Sequence, residues 1–272
     1  MRQERLSDPP GIRWLPDRPS GVGVLVLAGS RGQADPARAR LFASQGAIAE
    51  SIQWFGGPGQ HEAPWEIPVE TIQDRVAALA RECDRVVVAG LSFGAEAALV
   101  VASYTPQVEA VVAFSPLDVV WAGVRPDGSQ TSHWTLAGEP LPFVPFAEDW
   151  EPDDDPPAYR GLYLRSRELF PDAVVAATIA VEQIPSVVLV AGGDDEVWPA
   201  NLHAERIATR RAAHGRSTTL VTDPEAGHRA ILPGEEPVTA GIQLRRGGTE
   251  AADRRLGVAA WGAIVPLLTT VR

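Results

Sequence analysis

The stretch GLSFG, residues 90–94, places a serine between two glycines, after the apolar run RVVVA and before AEAALVVASY. A serine hydroxyl is presented for nucleophilic attack when the backbone turns sharply beneath it, and small neighbours such as Gly90 and Gly94 permit that turn. The same glycines also occur in ordinary structural turns. The strand–turn–helix context favours Ser92 as a nucleophile, which then requires a base from elsewhere in the chain.

Five histidines could supply that base. His203 falls on a helix that we expect to be exposed, and His214 ends this helix, where the helix dipole favours positive charge. His61 and His133 lie in irregular segments, in which a histidine is usually solvated. His228, in PEAGH, follows a predicted strand, and parallel sheets place their sites beyond the carboxyl ends of strands. We therefore predict that His228 is the base.

An acidic residue should orient the imidazole and balance its charge. The segment GGDDE follows a buried strand and offers Asp194 and Asp195. Asp195 is preferred because DEVWP has the usual spacing of an acid turn, whereas Asp194 could cap the turn. Asp118, after the preceding strand, is the reserve candidate. The order Ser92, Asp195, His228 is that of the α/β hydrolases.

A tetrahedral intermediate on Ser92 would need two hydrogen-bond donors for its oxyanion. One should be the backbone N–H of Phe93, the residue after the nucleophile. The other should come from the loop AGSRG after the first clear strand, where Ser30 is our prediction.

The elements around these residues alternate at short spacing, which is typical of a doubly wound parallel sheet with helices on both faces. We predict strands over 21–29, 47–56, 85–90, 108–116, 186–196 and 217–228, with helices over 37–46, 68–83, 93–104, 157–170, 171–183, 201–215 and 250–268. The prediction is an α/β-hydrolase domain over residues 21–272, preceded by an N-terminal extension over residues 1–20.

The alternation breaks down over about residues 117–155, after the strand that follows the nucleophile helix. A long irregular segment inside a compact domain is often a lid or binding loop. We expect it to cover the serine and line an acyl pocket through its aromatic residues, Trp121, Trp134, Phe143 and Phe146. The acidic stretch EPDDDPP, residues 151–157, is interpreted as a solvated turn, and no metal site is predicted.

Composition excludes several classes of function. The formal net charge of −11 argues against nucleic-acid binding, and the chain has no lysine for Schiff-base chemistry. Exclusive use of arginine is typical of a GC-rich bacterial genome. Cys83 is the only cysteine, so an internal disulfide cannot form. No apolar run approaches the roughly 20 residues of a membrane span, and no cofactor is expected. We predict a cytoplasmic enzyme that acts on a small molecule.

Several stretches together resemble a known family. They are GLSFGAEAALVVASYTPQVEAVVAFSPLDVVWAG, SHWTLAGEPLPFVPF, AGGDDEVWPA, HAERIATRRAAHG and GGTEAADRRLGVAAWGAIVPLL. They are similar to the catalytic domain of the acyl-CoA thioesterase and bile acid-CoA:amino acid N-acyltransferase family, from about residue 20 onward. Many members carry a β-sandwich domain ahead of the catalytic one. Only about twenty residues precede the first clear strand here, so we do not expect that domain in this sequence.

The resemblance implies attack on an acyl thioester, with Ser92, Asp195 and His228 at the matching positions. Amino-acid-conjugating members often have cysteine as nucleophile, so the serine favours hydrolysis over acyl transfer to an amine. A carboxylesterase or dienelactone-hydrolase-like enzyme that does not use coenzyme A is a further alternative, and a non-catalytic binding protein is another. If coenzyme A is bound, Arg31 and Arg229 are the arginines expected nearest its phosphates. The oligomeric state is not predicted.

Overall fold

The computed structural model describes residues 1–152, 155–237 and 243–269. The strands are β1 (Arg2–Ser7), β2 (Pro10–Leu15), β3 (Val22–Leu27), β4 (Ile48–Ile52), β5 (Ile67–Pro68), β6 (Arg85–Leu91), β7 (Val108–Phe114), β8 (Ala122–Val124), β9 (Gln130–Ser132), β10 (Trp134–Leu136), β11 (Glu139–Pro140), β12 (Ser186–Gly192) and β13 (Thr219–Asp223). The helices are α1 (Pro36–Ser44), α2 (Glu70–Ala80), α3 (Phe93–Ser103), α4 (Arg160–Leu169), α5 (Pro171–Ala176), α6 (Ala200–Ala213) and α7 (Glu250–Ile264).

Within the described residues, eight strands form one sheet in the order β1-β2-β4-β3-β6-β7-β12-β13. All neighbours from β4 to β13 are parallel. Every residue of β3, VGVLVL, is buried, as expected for a strand that is covered on both faces. The predicted doubly wound parallel sheet is confirmed.

Helices cover the sheet on both sides. Helices α2, α3 and α6 bury one apolar core through residues such as Leu79 and Leu99, and α1 and α7 bury the other through Phe42 and Leu256. Each fully buried side chain of this size contributes about 1.5–3 kcal/mol. Because the helices occupy the faces, the loops at the carboxyl ends of the parallel strands are free to form a site. No helix in the described part of the chain is long and apolar enough to cross a membrane.

Residues 1–20, which we expected to be an extension, contribute two strands to the main sheet. Strands β1 and β2 form an antiparallel hairpin, and β2 pairs with β4. The hairpin is polar: Arg13 binds Glu50 on β4 at 2.6 Å and Glu82 at 2.8 Å. Strand β1 alternates only between exposed and half-buried residues. It therefore lacks the buried apolar run from which the other strands were predicted.

The segment over residues 117–155 is less irregular than expected. It contains β8 paired with β9, and β10 paired with both β11 and β5. The helix predicted over 171–183 is wrong in its length, because α5 ends at Ala176. The chain then becomes extended, since Thr178 bridges Val119 and the Ile179 N–H donates to the Asp118 carbonyl.

Candidate active site

Ser92 lies at the turn between β6 and α3, with φ 61° and ψ −126°. A positive φ is unfavourable for a residue with a Cβ, so the surrounding structure must hold it. A Cβ on Gly90 would lie 1.8 Å from the Gly94 carbonyl oxygen, and a Cβ on Gly94 would lie 2.3 Å from that of Leu27. Both glycines are therefore required for α3 to turn back against β6 and β3, which leaves Ser92 half-exposed above the sheet.

A continuous chain of hydrogen bonds runs from this serine to a buried carboxylate. The Ser92 Oγ lies 2.9 Å from Nε2 of His228, and Nδ1 of His228 lies 2.8 Å from Oδ2 of Asp195. Asp195 is fully buried, and its other oxygen accepts the N–H groups of Val197 at 2.9 Å and Trp198 at 3.2 Å. The arrangement can accept a proton from the serine hydroxyl and stabilise the resulting imidazolium.

The sheet brings these three residues together. Ser92 follows β6, Asp195 follows β12, and His228 follows β13, so all three lie beyond carboxyl ends at one edge of the sheet. The His228 loop is fixed by its main chain: the His228 N–H donates to the Arg246 carbonyl at 2.8 Å, and the Gly227 N–H donates to Asp253 at 2.8 Å. Burial raises the pKa of this Asp253 carboxyl.

Ser115, directly after β7, is a functional residue that sequence reasoning missed. Its hydroxyl donates to the His228 carbonyl at 2.7 Å, and its own φ is 50°. The Trp198 indole N–H donates to the Ser115 carbonyl at 3.3 Å, and the Trp198 ring meets the His228 ring edge-on at 4.6 Å. Ser115 thus holds the main chain of His228, and Trp198 packs against its imidazole. The serine in AFSP at a strand's carboxyl end was the available signal.

The alternative acids lie away from the imidazole. The Asp194 carboxylate, on an exposed residue, accepts the Gly248 N–H at 2.8 Å. Asp118 binds Arg167 at 2.9 Å and contacts Nδ1 of His203. Burial alone would raise the pKa of Asp118, but the charges of His203 and Arg167 and the bond from His203 lower it. Of the three acids considered, Asp195 is the one that contacts His228.

The other histidines differ from expectation in two cases. The expectation that His203 is exposed is wrong: it is fully buried, because it lies on the face of α6 that packs inward with Ala204. His133 was expected to be solvated, but its Nδ1 lies 3.0 Å from the buried carboxylate of Glu96. His214 is exposed at the end of α6, as expected.

The predicted oxyanion donors lie on both sides of Ser92. Phe93 is the first residue of α3, where the backbone N–H has no acceptor within the helix. On the other side, a Cβ on Gly29 would lie 3.5 Å from Ser92 Oγ, so the loop after β3 passes directly beside the hydroxyl. Ser30 and Arg31 lie at the tip of this loop. The Gly32 N–H donates to the Gly29 carbonyl at 2.9 Å and closes the turn. The donor roles of Phe93 and Ser30 stay predictions.

The four aromatic residues of the insertion differ in how closely they approach the serine turn. Trp134 is buried beside the serine turn, and its ring centroid lies 5.3 Å from that of Phe93. Trp121 is also buried and stacks on Phe146 at 5.6 Å. Trp121 is linked to the site through Tyr163 at 4.7 Å, which contacts Trp198 at 5.4 Å, and its carbonyl accepts the His133 N–H at 3.1 Å.

Phe143 and Phe146 are placed differently from the two tryptophans. They line a surface cavity of about 570 Å³ together with Leu169 and Phe170, at the ends of α4 and its connection to α5. Of the four aromatics, Trp134 is the one whose ring contacts the ring of Phe93, the neighbour of Ser92. The pocket roles of all four stay predictions.

The two arginines expected near the phosphates of coenzyme A lie close to the start of α1. Arg31 is exposed in the loop after β3. Arg229 lies 4.0 Å from the Asp35 carboxylate, and burial lowers the pKa of its guanidinium, with the charge of Arg38 acting in the same direction. Within the described residues, no cluster of histidine, cysteine and carboxylate side chains could hold a metal. Residues 153 and 154 of the acidic stretch lie outside the described residues.

A known protein family matches this part of the chain. The model of the family described as "BAAT / Acyl-CoA thioester hydrolase C terminal" matches residues 80–240, more than half of the chain. The chain belongs to this family. The match to the BAAT / acyl-CoA thioester hydrolase family spans Ser92, Asp195 and His228, and the resemblance predicted from the sequence is confirmed. Among curated proteins, no sequence matches this chain.

Solved structures share the fold at low sequence identity. An esterase from the Planctomycetes species Thermogutta terrifontis is 15% identical, with a TM-score of 0.57, and the match covers 98% of this chain and 92% of that one. A Klebsiella pneumoniae protein assigned to the dienelactone hydrolases is 14% identical, with a TM-score of 0.57 and coverage of 98% and 97%. The BAAT-family chain thus has the α/β-hydrolase fold.

Proposed function

We propose that this chain is a serine hydrolase that cleaves an acyl thioester of the acyl-CoA type, or an ester, through an acyl-enzyme on Ser92. One observation carries the proposal: the Ser92 hydroxyl, the His228 imidazole and the Asp195 carboxylate are linked by hydrogen bonds of 2.9 and 2.8 Å. The buried carboxylate with two backbone donors keeps Nδ1 of the imidazole protonated, so Nε2 is available to the serine.

In the acylation step, His228 Nε2 takes the Ser92 proton as the oxygen attacks the carbonyl carbon of the substrate. The resulting oxyanion accepts hydrogen bonds from the N–H groups of Phe93 and Ser30. As the intermediate collapses, the bond from carbon to sulfur or oxygen breaks, and the leaving thiol or alcohol takes the proton back from His228. The acyl group remains as an ester on Ser92.

In the deacylation step, His228 removes a proton from water, and the hydroxide attacks the acyl-enzyme carbonyl. Collapse of the second intermediate returns the proton to Ser92 Oγ and releases the free acid. Asp195 stays ionised throughout and stabilises the imidazolium that forms twice in the cycle. An amine in place of this water would give an amide instead, so the nature of the product distinguishes hydrolysis from acyl transfer.

The remaining predicted residues have binding roles in this proposal. Trp134 and Phe93 form an apolar wall beside the serine, and Trp121, Phe143 and Phe146 extend the apolar region of the insertion. Arg31 and Arg229 would bind the phosphates of a coenzyme A leaving group. Their location supports this role because Arg31 lies in the loop after β3 and Arg229 directly follows His228. A cytoplasmic location and a bacterial source stay predictions of the sequence.

A product assay tests the proposal. The protein is incubated with a series of acyl-CoAs and with uncharged esters of the same acids, with and without glycine or taurine, and the products are identified by mass spectrometry. We expect free acid, in an amount that the amines do not change. Amide products would indicate a transferase instead, and the absence of turnover of every thioester and ester would contradict the proposal.

A further inference from the structure

A second imidazole–carboxylate pair lies beside the serine turn. Glu96 is on α3, one helical turn after Ser92 and therefore on the same side of the helix. It is fully buried, and its Oε1 lies 3.0 Å from Nδ1 of His133 and accepts the Trp134 indole N–H at 2.8 Å. The pair repeats the relationship between Asp195 and His228, and the proposed reaction does not use it.

The imidazole of this pair packs against the residue that follows Ser92. Its ring centroid lies 4.4 Å from that of Phe93, the residue directly after the proposed nucleophile. The His133 side chain keeps 13% of its surface exposed. In the described part of the chain, no residue forms a hydrogen bond with its other ring nitrogen, Nε2. This nitrogen is therefore available to a ligand beside the serine turn.

Burying the Glu96 carboxylate would be energetically unfavourable if its only role were to anchor the segment that contains His133 and Trp134. Taking a carboxylate out of water costs several kcal/mol, and Glu96 Oε2 has no partner among the described residues. Apolar packing of Trp134 would anchor β10 without that cost. What the carboxylate adds is control of the imidazole, because accepting from Nδ1–H fixes the tautomer and leaves Nε2 to face outward.

Glu96 also lies close to the catalytic acid. Burial raises the pKa of the Tyr163 phenol, and the negative charges of Glu96 and Asp195 raise it further. The Tyr163 ring contacts Trp198, which in turn contacts His228. The carboxylates of both pairs therefore act electrostatically on the same buried phenol, Tyr163.

We propose that His133, oriented by Glu96, binds a hydroxyl group on the acyl chain of the substrate. Nε2 accepts a hydrogen bond when the ring is neutral and donates one when it is protonated, and a hydroxyl can satisfy either state. The neighbouring walls, Phe93 and Trp134, are apolar, so His133 is a single polar group that fixes the orientation of an otherwise apolar chain. This inference rests on the proposed function for the identity of the acyl site.

Binding to the Ser92→Ala protein tests the inference without turnover. We compare the dissociation constants of the N-acetylcysteamine thioesters of butyrate and 3-hydroxybutyrate, which differ by one hydroxyl. The protein should bind the hydroxylated thioester about tenfold more tightly. His133→Phe keeps the ring packing on Phe93 and should abolish the preference. Glu96→Gln keeps an acceptor for Trp134 but loses the charge, and it should weaken the preference.

The matched control is His214→Phe, at the exposed end of α6, which should leave the ratio of the two dissociation constants unchanged. Equal binding of the two thioesters, an equal loss of both in His133→Phe, or no binding of either would overturn the inference. A preference that follows a hydroxyl on the thiol part instead of the acyl part would also overturn it. Turnover is measured separately with Ser92 intact, so a failure of the proposed hydrolysis is distinguishable from a failure of this binding site.

Discussion

The Ser115 hydroxyl donates a hydrogen bond of 2.7 Å to the main-chain carbonyl of His228. This bond joins the carboxyl end of β7, in the centre of the sheet, to the loop that carries the proposed base. Because β7 pairs with both β6 and β12, Ser115 lies between the strands that carry Ser92 and Asp195. Through this bond, the position of His228 depends on β7, the strand that lies between the strands preceding Ser92 and Asp195.

Ser115→Ala should lower kcat about five- to tenfold, because a lost hydrogen bond of about 1 kcal/mol frees the His228 carbonyl. Ser115→Gly should lose the same activity and yet be more stable than the alanine variant by about 1 kcal/mol, since φ at this position is 50° and glycine accepts it readily. Steady-state kinetics and urea unfolding measure both effects. Unchanged kcat in both variants would show that the bond does not position His228.

Asp195→Asn should reduce kcat by up to ~10⁴, because an amide cannot stabilise the imidazolium and favours the wrong tautomer. Asp194→Asn is the matched control one residue away, and it should cost less than about tenfold. Its carboxylate contacts the Gly248 N–H instead of the imidazole. Equal losses in the two variants, or a larger loss in Asp118→Asn, would assign the acid elsewhere.

Gly94→Ala should destabilise the protein by about 3 kcal/mol or more, because its Cβ would lie 2.3 Å from the backbone oxygen of Leu27. Gly262→Ala in α7 is the control, since its Cβ would meet nothing within 4 Å. Alanine is the better helix former, so the control should be neutral or more stable by up to about 1 kcal/mol. Urea midpoints measure both, and similar midpoints would contradict the close packing of the serine turn.

The buried carboxylate of Asp118 should make stability sensitive to acid. Its folded-state pKa is lowered by His203 and Arg167 despite burial. A lowered pKa stabilises the folded state above the unfolded value of about 3.9, and this stabilisation is lost as pH falls through the folded value. Asp118→Asn should therefore lower the free energy of unfolding by about 3 kcal/mol at pH 7.

The difference between wild type and Asp118→Asn should shrink as the pH falls below about 4, because Asp118 then takes up a proton in the unfolded chain while it is still ionised in the folded protein. The control is Asp127→Asn, because the Asp127 carboxylate contacts Ser129 on an exposed turn and its replacement should leave stability almost unchanged. Urea unfolding from pH 3 to pH 7 gives both comparisons. A difference that stays constant over this range would contradict the role of the Asp118 charge.

The sequence was sufficient to predict the sheet and the order of Ser92, Asp195 and His228, because Ser92 and Asp195 each follow a buried apolar strand and His228 follows the last predicted strand. In parallel sheets such positions converge at one edge. The structure places all three within hydrogen-bonding distance, whereas their catalytic roles stay predictions. The strand hairpin at the start of the chain was missed because β1 alternates between exposed and half-buried residues and β2 is mostly half-buried, so neither strand is a buried apolar run.

Two contacts between residues distant in the sequence were not predicted. Ser115 and His228 are 113 residues apart, and Glu96 and His133 are 37 apart. Neither pair leaves a local pattern, because each depends on how loops meet above the sheet. The burial of His203 was missed for a related reason: a mostly polar helix with several arginines conceals which of its faces packs inward.

The most direct test of the central claim is the mass of the intact protein after reaction with a fluorophosphonate or a slowly hydrolysed acyl thioester. We predict the addition of one phosphonyl or acyl group, located on Ser92 by peptide mapping. The Ser92→Ala variant should fold as the wild type does, gain no mass and have no turnover. Modification of a different residue, or turnover by Ser92→Ala at the wild-type rate, would contradict the account.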